Sequence, residues 1–100
     1  MSSRRSVTIL GATGSVGGST LDLIERNEER YDVLAVTAHR DVEGLAAAAR
    51  RVRAGRAVIA DPTLLEPLRA ALAGSGTEAA AGDEAILEAA GAGADWTMAA

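Results

Sequence analysis

Apolar residues fall into short blocks divided by polar, glycine-bearing breaks, and the blocks alternate between two periods. Val7-Thr8-Ile9-Leu10 is brief and apolar and stops at Gly11, the pattern of a buried strand. Val16, Thr20, Leu23, Ile24 and Asn27 then recur at helical spacing, with Leu21 widening the stripe, until the polar break Glu28-Glu29-Arg30. Val33 to Thr37 reads as a second, fully buried strand. Val42, Leu45, Ala46, Ala49 and Val52 mark a second helix, with Arg50, Arg51 and Arg53 at the negative end of its dipole and Gly55 as its stop. Ala57 to Ala60 is a third strand, closed by Asp61-Pro62. Leu64, Leu65, Leu68 and Leu72 line a further helix with two possible starts: Asp61 capping with Pro62 in first position, or Thr63 forming a capping box with Glu66. Pro67 favours the later start, because deeper in a helix it removes a backbone hydrogen bond. Gly74-Ser75-Gly76 stops this helix, Glu78 to Ala81 is a short strand of poor propensity, and Asp83 is expected to cap a small helix holding Ile86, Leu87 and Ala90. Trp96 to Ala100 is a last apolar run with a strand-like start.

Strands and helices alternating at this spacing predict a parallel sheet with helices on both faces. The first strand-to-helix turn carries the chemistry. Gly11-Ala12-Thr13-Gly14-Ser15-Val16-Gly17 joins a strand to a helix, the arrangement that turns backbone N–H groups and a positive helix end toward a pyrophosphate. Gly11 suits the tight turn, Gly14 a close approach to phosphate, and Gly17 close packing of helix on strand. The spacing is G-x-x-G-x-x-G rather than the commoner G-x-G-x-x-G. A triphosphate loop requires lysine after its last glycine, whereas Gly18-Ser19 follows Gly17, so nucleotide hydrolysis is disfavoured. Ser15 has two roles open to it, donor to a phosphate and helix N-cap. The fold class expected is therefore α/β, a Rossmann-like doubly wound parallel sheet in a single domain over residues 1–100, truncated at its carboxyl end.

Composition narrows the partners. A 100-residue chain that is 48% hydrophobic and 24% charged is ordinary for a globular domain. A net charge of −4 with only two aromatic residues, Tyr31 and Trp96, offers no footprint for nucleic acid. Apolar runs stay far below the roughly 20 residues of a membrane span, and the stretch after Arg4-Arg5 is too short for an export signal, so a cytoplasmic location is expected. Cysteine is absent and His39 is the single histidine, which rules out thiolate chemistry and a histidine metal cluster within these residues. All ten basic residues are arginine, a bias that lowers the weight of any one of them.

Where an NAD-binding unit carries an acid at the end of its second strand, this chain has Ala38-His39-Arg40. A guanidinium there suits a 2′-phosphate, and the missing carboxylate removes a repulsive group, so NADP is favoured over NAD. A solvated loop arginine is the alternative for Arg40. His39 is placed to stack on adenine or reach the phosphate, or simply to lie exposed, and Asp41 reads most simply as the cap of the helix from Val42.

Gly11 to Gly17, Ser19-Thr20-Leu21-Asp22, Ala38-His39-Arg40-Asp41-Val42 and Met98-Ala99-Ala100 together resemble the amino-terminal part of the 1-deoxy-D-xylulose 5-phosphate reductoisomerases, over nearly the whole chain. The most specific piece is Thr13-Gly14-Ser15 joined to Ser19-Thr20-Leu21-Asp22. The resemblance implies an NADPH-dependent oxidoreductase of non-mevalonate isoprenoid biosynthesis, homodimeric, that isomerises and reduces 1-deoxy-D-xylulose 5-phosphate to 2-C-methyl-D-erythritol 4-phosphate. It also implies cofactor contacts from Thr13, Gly14, Ser15 and Val16 beside Gly11 and Gly17, with His39, Arg40 and Asp41 around the 2′-phosphate. The divalent metal (Mg or Mn), the sugar phosphate and the catalytic groups would be held by residues beyond Ala100, so the 100 residues alone are expected to catalyse nothing and to fold marginally. Asp41 departs from the family, which often has asparagine there; a carboxylate beside a phosphate is repulsive unless it faces the helix backbone. Asp22 reads as a surface residue able to pair with Arg26, without chemistry. Two other readings stand beside it: the semialdehyde-dehydrogenase-like reductases, NADP enzymes that also open with Gly-Ala-Thr-Gly loops of this spacing, and a non-catalytic module that binds a dinucleotide as a sensor or structural element.

Overall fold

The structure, a computed structural model, describes residues 5–12, 15–91 and 93–99. Five strands, β1 (Arg5–Leu10), β2 (Tyr31–Ala38), β3 (Arg56–Ile59), β4 (Glu78–Ala81) and β5 (Trp96–Ala99), form one sheet in the order β4-β3-β2-β1-β5, every pair parallel. The helices are α1 (Ser15–Arg26), α2 (Val42–Val52), α3 (Leu65–Ala71) and α4 (Asp83–Ala90), with a 3-10 turn at Pro62–Leu64 leading into α3.

Side chains alternate across the sheet and divide the core in two. Val7 and Ile9 of β1, Val33 and Val36 of β2 and Ala57 and Ile59 of β3 pack with Leu21, Ile24, Leu45, Val52, Leu68 and Leu72. This is the face covered by α1, α2 and α3. The intervening positions Ala35 and Val58 meet Ala85 and Ala89 of α4 on the other face. Right-handed crossovers explain the division: the chain steps from β1 to β4 in one direction, then returns through α4 to place β5 beside β1. That reversal makes the carboxyl end of β1 the switch point of the sheet.

The predicted elements are present, and the differences have physical causes. Leu23 lies outside the buried stripe of α1 and is 51% exposed, because Leu21 and Ile24 already fill the contact with the sheet. On α4 the buried residues are Ala85 and Ala89, while Leu87 faces outward at 71% exposure. Gly55 does not end α2; Arg53 takes the left-handed conformation at φ 51°, and its N–H reaches the Ala49 carbonyl. Arg50 donates to the Ala71 and Ala73 carbonyls at 2.9 and 3.1 Å, and Arg51 pairs with Glu25 at 3.2 Å, so these arginines tie α2 to its neighbours. Asp83 does not cap α4. Gly82 occupies the cap position at φ 99°, and Asp83 is the first helical residue.

Asp61, rather than a Thr63–Glu66 box, caps the segment after β3, accepting from Thr63 N–H at 3.0 Å and Thr63 Oγ1–H at 2.6 Å. Pro67 sits in the first turn of α3, where its missing N–H has no intrahelical acceptor to lose.

Candidate dinucleotide site

The ends of β1, β2 and β3 converge at the switch point, and their backbones are held together there. Gly11 turns the chain at φ 75°, a conformation that a side chain would strain. Its N–H donates to Thr37 Oγ1 at 3.1 Å, and the next N–H, that of Ala12, donates to the Thr37 carbonyl at 2.8 Å. Thr37 is 4% exposed and is thus a buried clamp on the glycine turn. Sequence reasoning missed it, since threonine in an apolar strand reads as an ordinary β-former. The only available signal was a polar residue near the end of a strand next to the glycine turn.

Past the strands, Ala60 N–H donates to the Ala38 carbonyl at 2.9 Å and Asp61 N–H to the His39 carbonyl at 3.2 Å. These bonds bring the Asp61 carboxylate under Arg40, whose Nε lies 3.4 Å from Asp61 Oδ2. The Arg40 side chain remains 73% exposed. It is not a free loop arginine, yet most of its guanidinium is open to a ligand. The Asp61 carboxyl is held below its ordinary value of 3.8, first by the Thr63 hydroxyl and then by the Thr63 N–H, against a desolvation that raises it and with added lowering from Arg40.

Asp41 caps α2: its Oδ1 accepts from Gly44 N–H at 2.9 Å. Gly44 makes that cap possible, because a Cβ there would stand 2.2 Å from Asp41 Oδ2. The carboxylate therefore faces the helix backbone. His39 is exposed. Gly11, Thr37, Ala38, His39 and Ala60 join Asp83 and Ile86 of α4 around a cleft of about 260 Å³. A larger, open hollow of about 680 Å³, lined by Arg56, Glu84, Leu87, Glu88 and Gly91, lies toward the amino-terminal ends of the strands and includes nothing from the glycine turn.

Thr13 and Gly14 lie outside the described residues, as do the side chains of residues 15–17, whose backbone opens α1. Asp22 pairs with Arg26 at 3.3 Å on the surface of α1. Among the described residues, no group of three or more histidines, cysteines or acids is gathered in a way that could hold a metal ion. No described helix is long and apolar enough to cross a membrane.

Comparison with known proteins gives this geometry a family. Residues 7–100 match the family model described as 1-deoxy-D-xylulose 5-phosphate reductoisomerase. The chain is 66% identical over 100 residues to the 1-deoxy-D-xylulose 5-phosphate reductoisomerase of Zymomonas mobilis and 58% identical over 97 residues to that of a Jannaschia species, spanning 26% and 25% of their lengths. Among solved structures, the Zymomonas mobilis reductoisomerase in complex with NADPH superposes with a TM-score of 0.92 at 64% identity, over 95% of this chain and 25% of that one. A reductoisomerase in complex with NADPH, fosmidomycin and magnesium gives 0.77 at 35% identity, over 86% of this chain and 21% of that one. The chain spans about a quarter of the length of the curated relatives it matches. With a strand-turn-helix at the switch point and a family match over all but its first six residues, the chain belongs to the 1-deoxy-D-xylulose 5-phosphate reductoisomerase family.

Proposed function

We propose that this chain is the NADPH-binding portion, over residues 1–100, of an enzyme that isomerises 1-deoxy-D-xylulose 5-phosphate and reduces the product to 2-C-methyl-D-erythritol 4-phosphate. The observation that carries the reading is Arg40 at the end of β2, beside the Gly11 turn, in a chain 66% identical to a reductoisomerase. NADPH, when bound, supplies the hydride for the reduction. The residues fit that group. The turn from Gly11 to Gly17, including Thr13, Gly14, Ser15 and Val16, meets the pyrophosphate at the amino end of α1. Arg40 binds the 2′-phosphate through the part of its guanidinium turned away from Asp61, and His39 lies beside the adenosine ribose.

Asp41 acts through the α2 backbone rather than by touching the phosphate, because its carboxylate is already engaged by Gly44 N–H. Its place in the cofactor set is that of a positioning residue. The divalent metal, magnesium or manganese, and the sugar phosphate are assigned to residues outside this chain. The protein that carries the chain is proposed to be a cytoplasmic homodimer of isoprenoid precursor biosynthesis.

The test is oxidation of NADPH by the whole protein, followed by absorbance, with 1-deoxy-D-xylulose 5-phosphate and magnesium. Oxidation that requires both substrate and metal is the expected result. Tight NADPH binding with no turnover in a preparation retaining its metal would overturn the enzymatic assignment and leave a binding module.

A further inference from the structure

The cleft over the ends of β1, β2 and β3 has one wall that the phosphate and ribose contacts do not use. On the dinucleotide reading above, the Gly11 turn takes the pyrophosphate and the Ala38–Arg40 segment the ribose, which leaves to the purine the open hollow between the strand ends and α4. That slot is lined by the small residues Ala38 and Ala60 on the strand side and by Ile86 and Asp83 from α4, with a volume of about 260 Å³. An aliphatic side chain opposite alanines is suited to the faces of a flat ring. Asp83 is suited to its edge.

Asp83 is the first residue of α4, exposed, and among the described residues its carboxylate has no hydrogen-bond or ion-pair partner. It stands in the first turn of the helix, at its amino end. An ionised carboxylate only accepts hydrogen bonds. Adenine presents an amino group at C6, which donates, while hypoxanthine presents a carbonyl oxygen at the same place, which accepts.

Resting on the dinucleotide reading above, we infer that Asp83 is a base-specificity residue: it accepts an N–H from the 6-amino group of the adenine ring and repels a purine carrying oxygen there. The role differs from that of Arg40, which reads the 2′-phosphate and takes no part in distinguishing the bases.

The experiment compares NADPH with reduced nicotinamide hypoxanthine dinucleotide phosphate, in which oxygen replaces the 6-amino group and N1 gains a proton. Both are titrated by fluorescence into the whole protein and its Asp83→Asn variant. The parent should bind the hypoxanthine form about tenfold more weakly, the scale of one hydrogen bond to a charged group. Asparagine offers both donor and acceptor, so the variant should bind the two forms within about twofold of each other. A thermal melt of the variant verifies its fold, and the substitution is isosteric. Equal binding of both forms by the parent, or undiminished discrimination by Asp83→Asn, would overturn the role of Asp83 while leaving NADPH binding intact. A parent that binds neither form would overturn the dinucleotide reading, and this inference with it.

Discussion

Replacing Thr37 with valine tests whether the glycine turn is held from the sheet side. The two side chains have the same shape, so the substitution removes the acceptor of Gly11 N–H, at 3.1 Å, and leaves the Ala12 N–H bond to the residue 37 carbonyl in place. A buried N–H deprived of its partner costs about 1–3 kcal/mol, and the Gly11 bond is only partly buried, so the lower end applies, about 1 kcal/mol of stability. The turn can relax to rehydrate that N–H, and cofactor binding must then reorder it. The same 1 kcal/mol should appear as about fivefold weaker NADPH binding. NADH should weaken equally, since the 2′-phosphate plays no part.

Urea denaturation and fluorescence titration measure the two effects, and Thr37→Ser separates hydroxyl from methyl. Serine keeps the acceptor but gives up a buried methyl, worth about 0.8 kcal/mol, so it should lose stability while keeping parental affinity. Affinity unchanged in Thr37→Val, or lost alike in both variants, would show that the hydroxyl does not hold the turn.

Arg40→Ala should weaken NADPH about tenfold more than NADH, because its guanidinium, 73% exposed, gives the lower end of a charge-assisted bond, about 1.5 kcal/mol, and because Asp61 is left facing the phosphate. Equal losses for both cofactors would remove Arg40 from the 2′-phosphate. Thr8 is 0% exposed and among the described residues its Oγ1 has no hydrogen-bond partner, so Thr8→Val should raise the stability of the 100-residue chain by about 1 kcal/mol in urea denaturation. A fall in the midpoint would mean that the hydroxyl is satisfied after all. Asp61 has a folded-state pKa below its ordinary 3.8, so its contribution is present above that value and is lost as pH falls through the lowered one. The stability gap between the parent and Asp61→Asn should accordingly be constant at neutral pH and shrink below pH 3.8; a gap that grows on acidification would reverse the sign of the shift.

What could be read in the sequence was what depends on neighbours along the chain. The strand period of Val7 to Leu10, the helical period of α2 and the positive φ required at Gly11 are local, and all are present. The family resemblance rested on contiguous motifs and is upheld by the match over residues 7–100, which sets aside the semialdehyde-dehydrogenase-like alternative. Misreadings arose where a local preference competed with a tertiary one. Gly55 was the obvious helix stop, yet the chain bends earlier, at Arg53, because Gly55 N–H is required by the Val33 carbonyl as β3 approaches β2. Leu87 fits an apolar stripe by composition, but α4 presents its alanines to the sheet instead. The Arg40–Asp61 pair joins two strand ends across 21 residues of sequence, and no periodicity announces such a contact.

Those alanines bear on why the cleft opens where it does. The face covered by α1, α2 and α3 buries leucine, isoleucine and valine beside its alanines, a thicker layer. Among the described residues, the face under α4 buries Ala35, Val58, Ala85 and Ala89 together, with Ala80 and Ile86 packed against them, a thin layer that lets the helix lie close to the strands. Close approach brings the first turn of α4 within the same cleft as Gly11 and Ala60, so that a flat ring can contact helix and strand ends at once. Thr37, one position from Val36 along β2, has its hydroxyl on the N–H of Gly11 through the pairing of β1 with β2. Large apolar residues at positions 85 and 89 would thicken this layer and push α4 outward, separating Asp83 and Ile86 from the strand ends. The weak hydrophobicity of this face, which burdens stability, is thus the same feature that sets the first turn of α4 beside the strand ends.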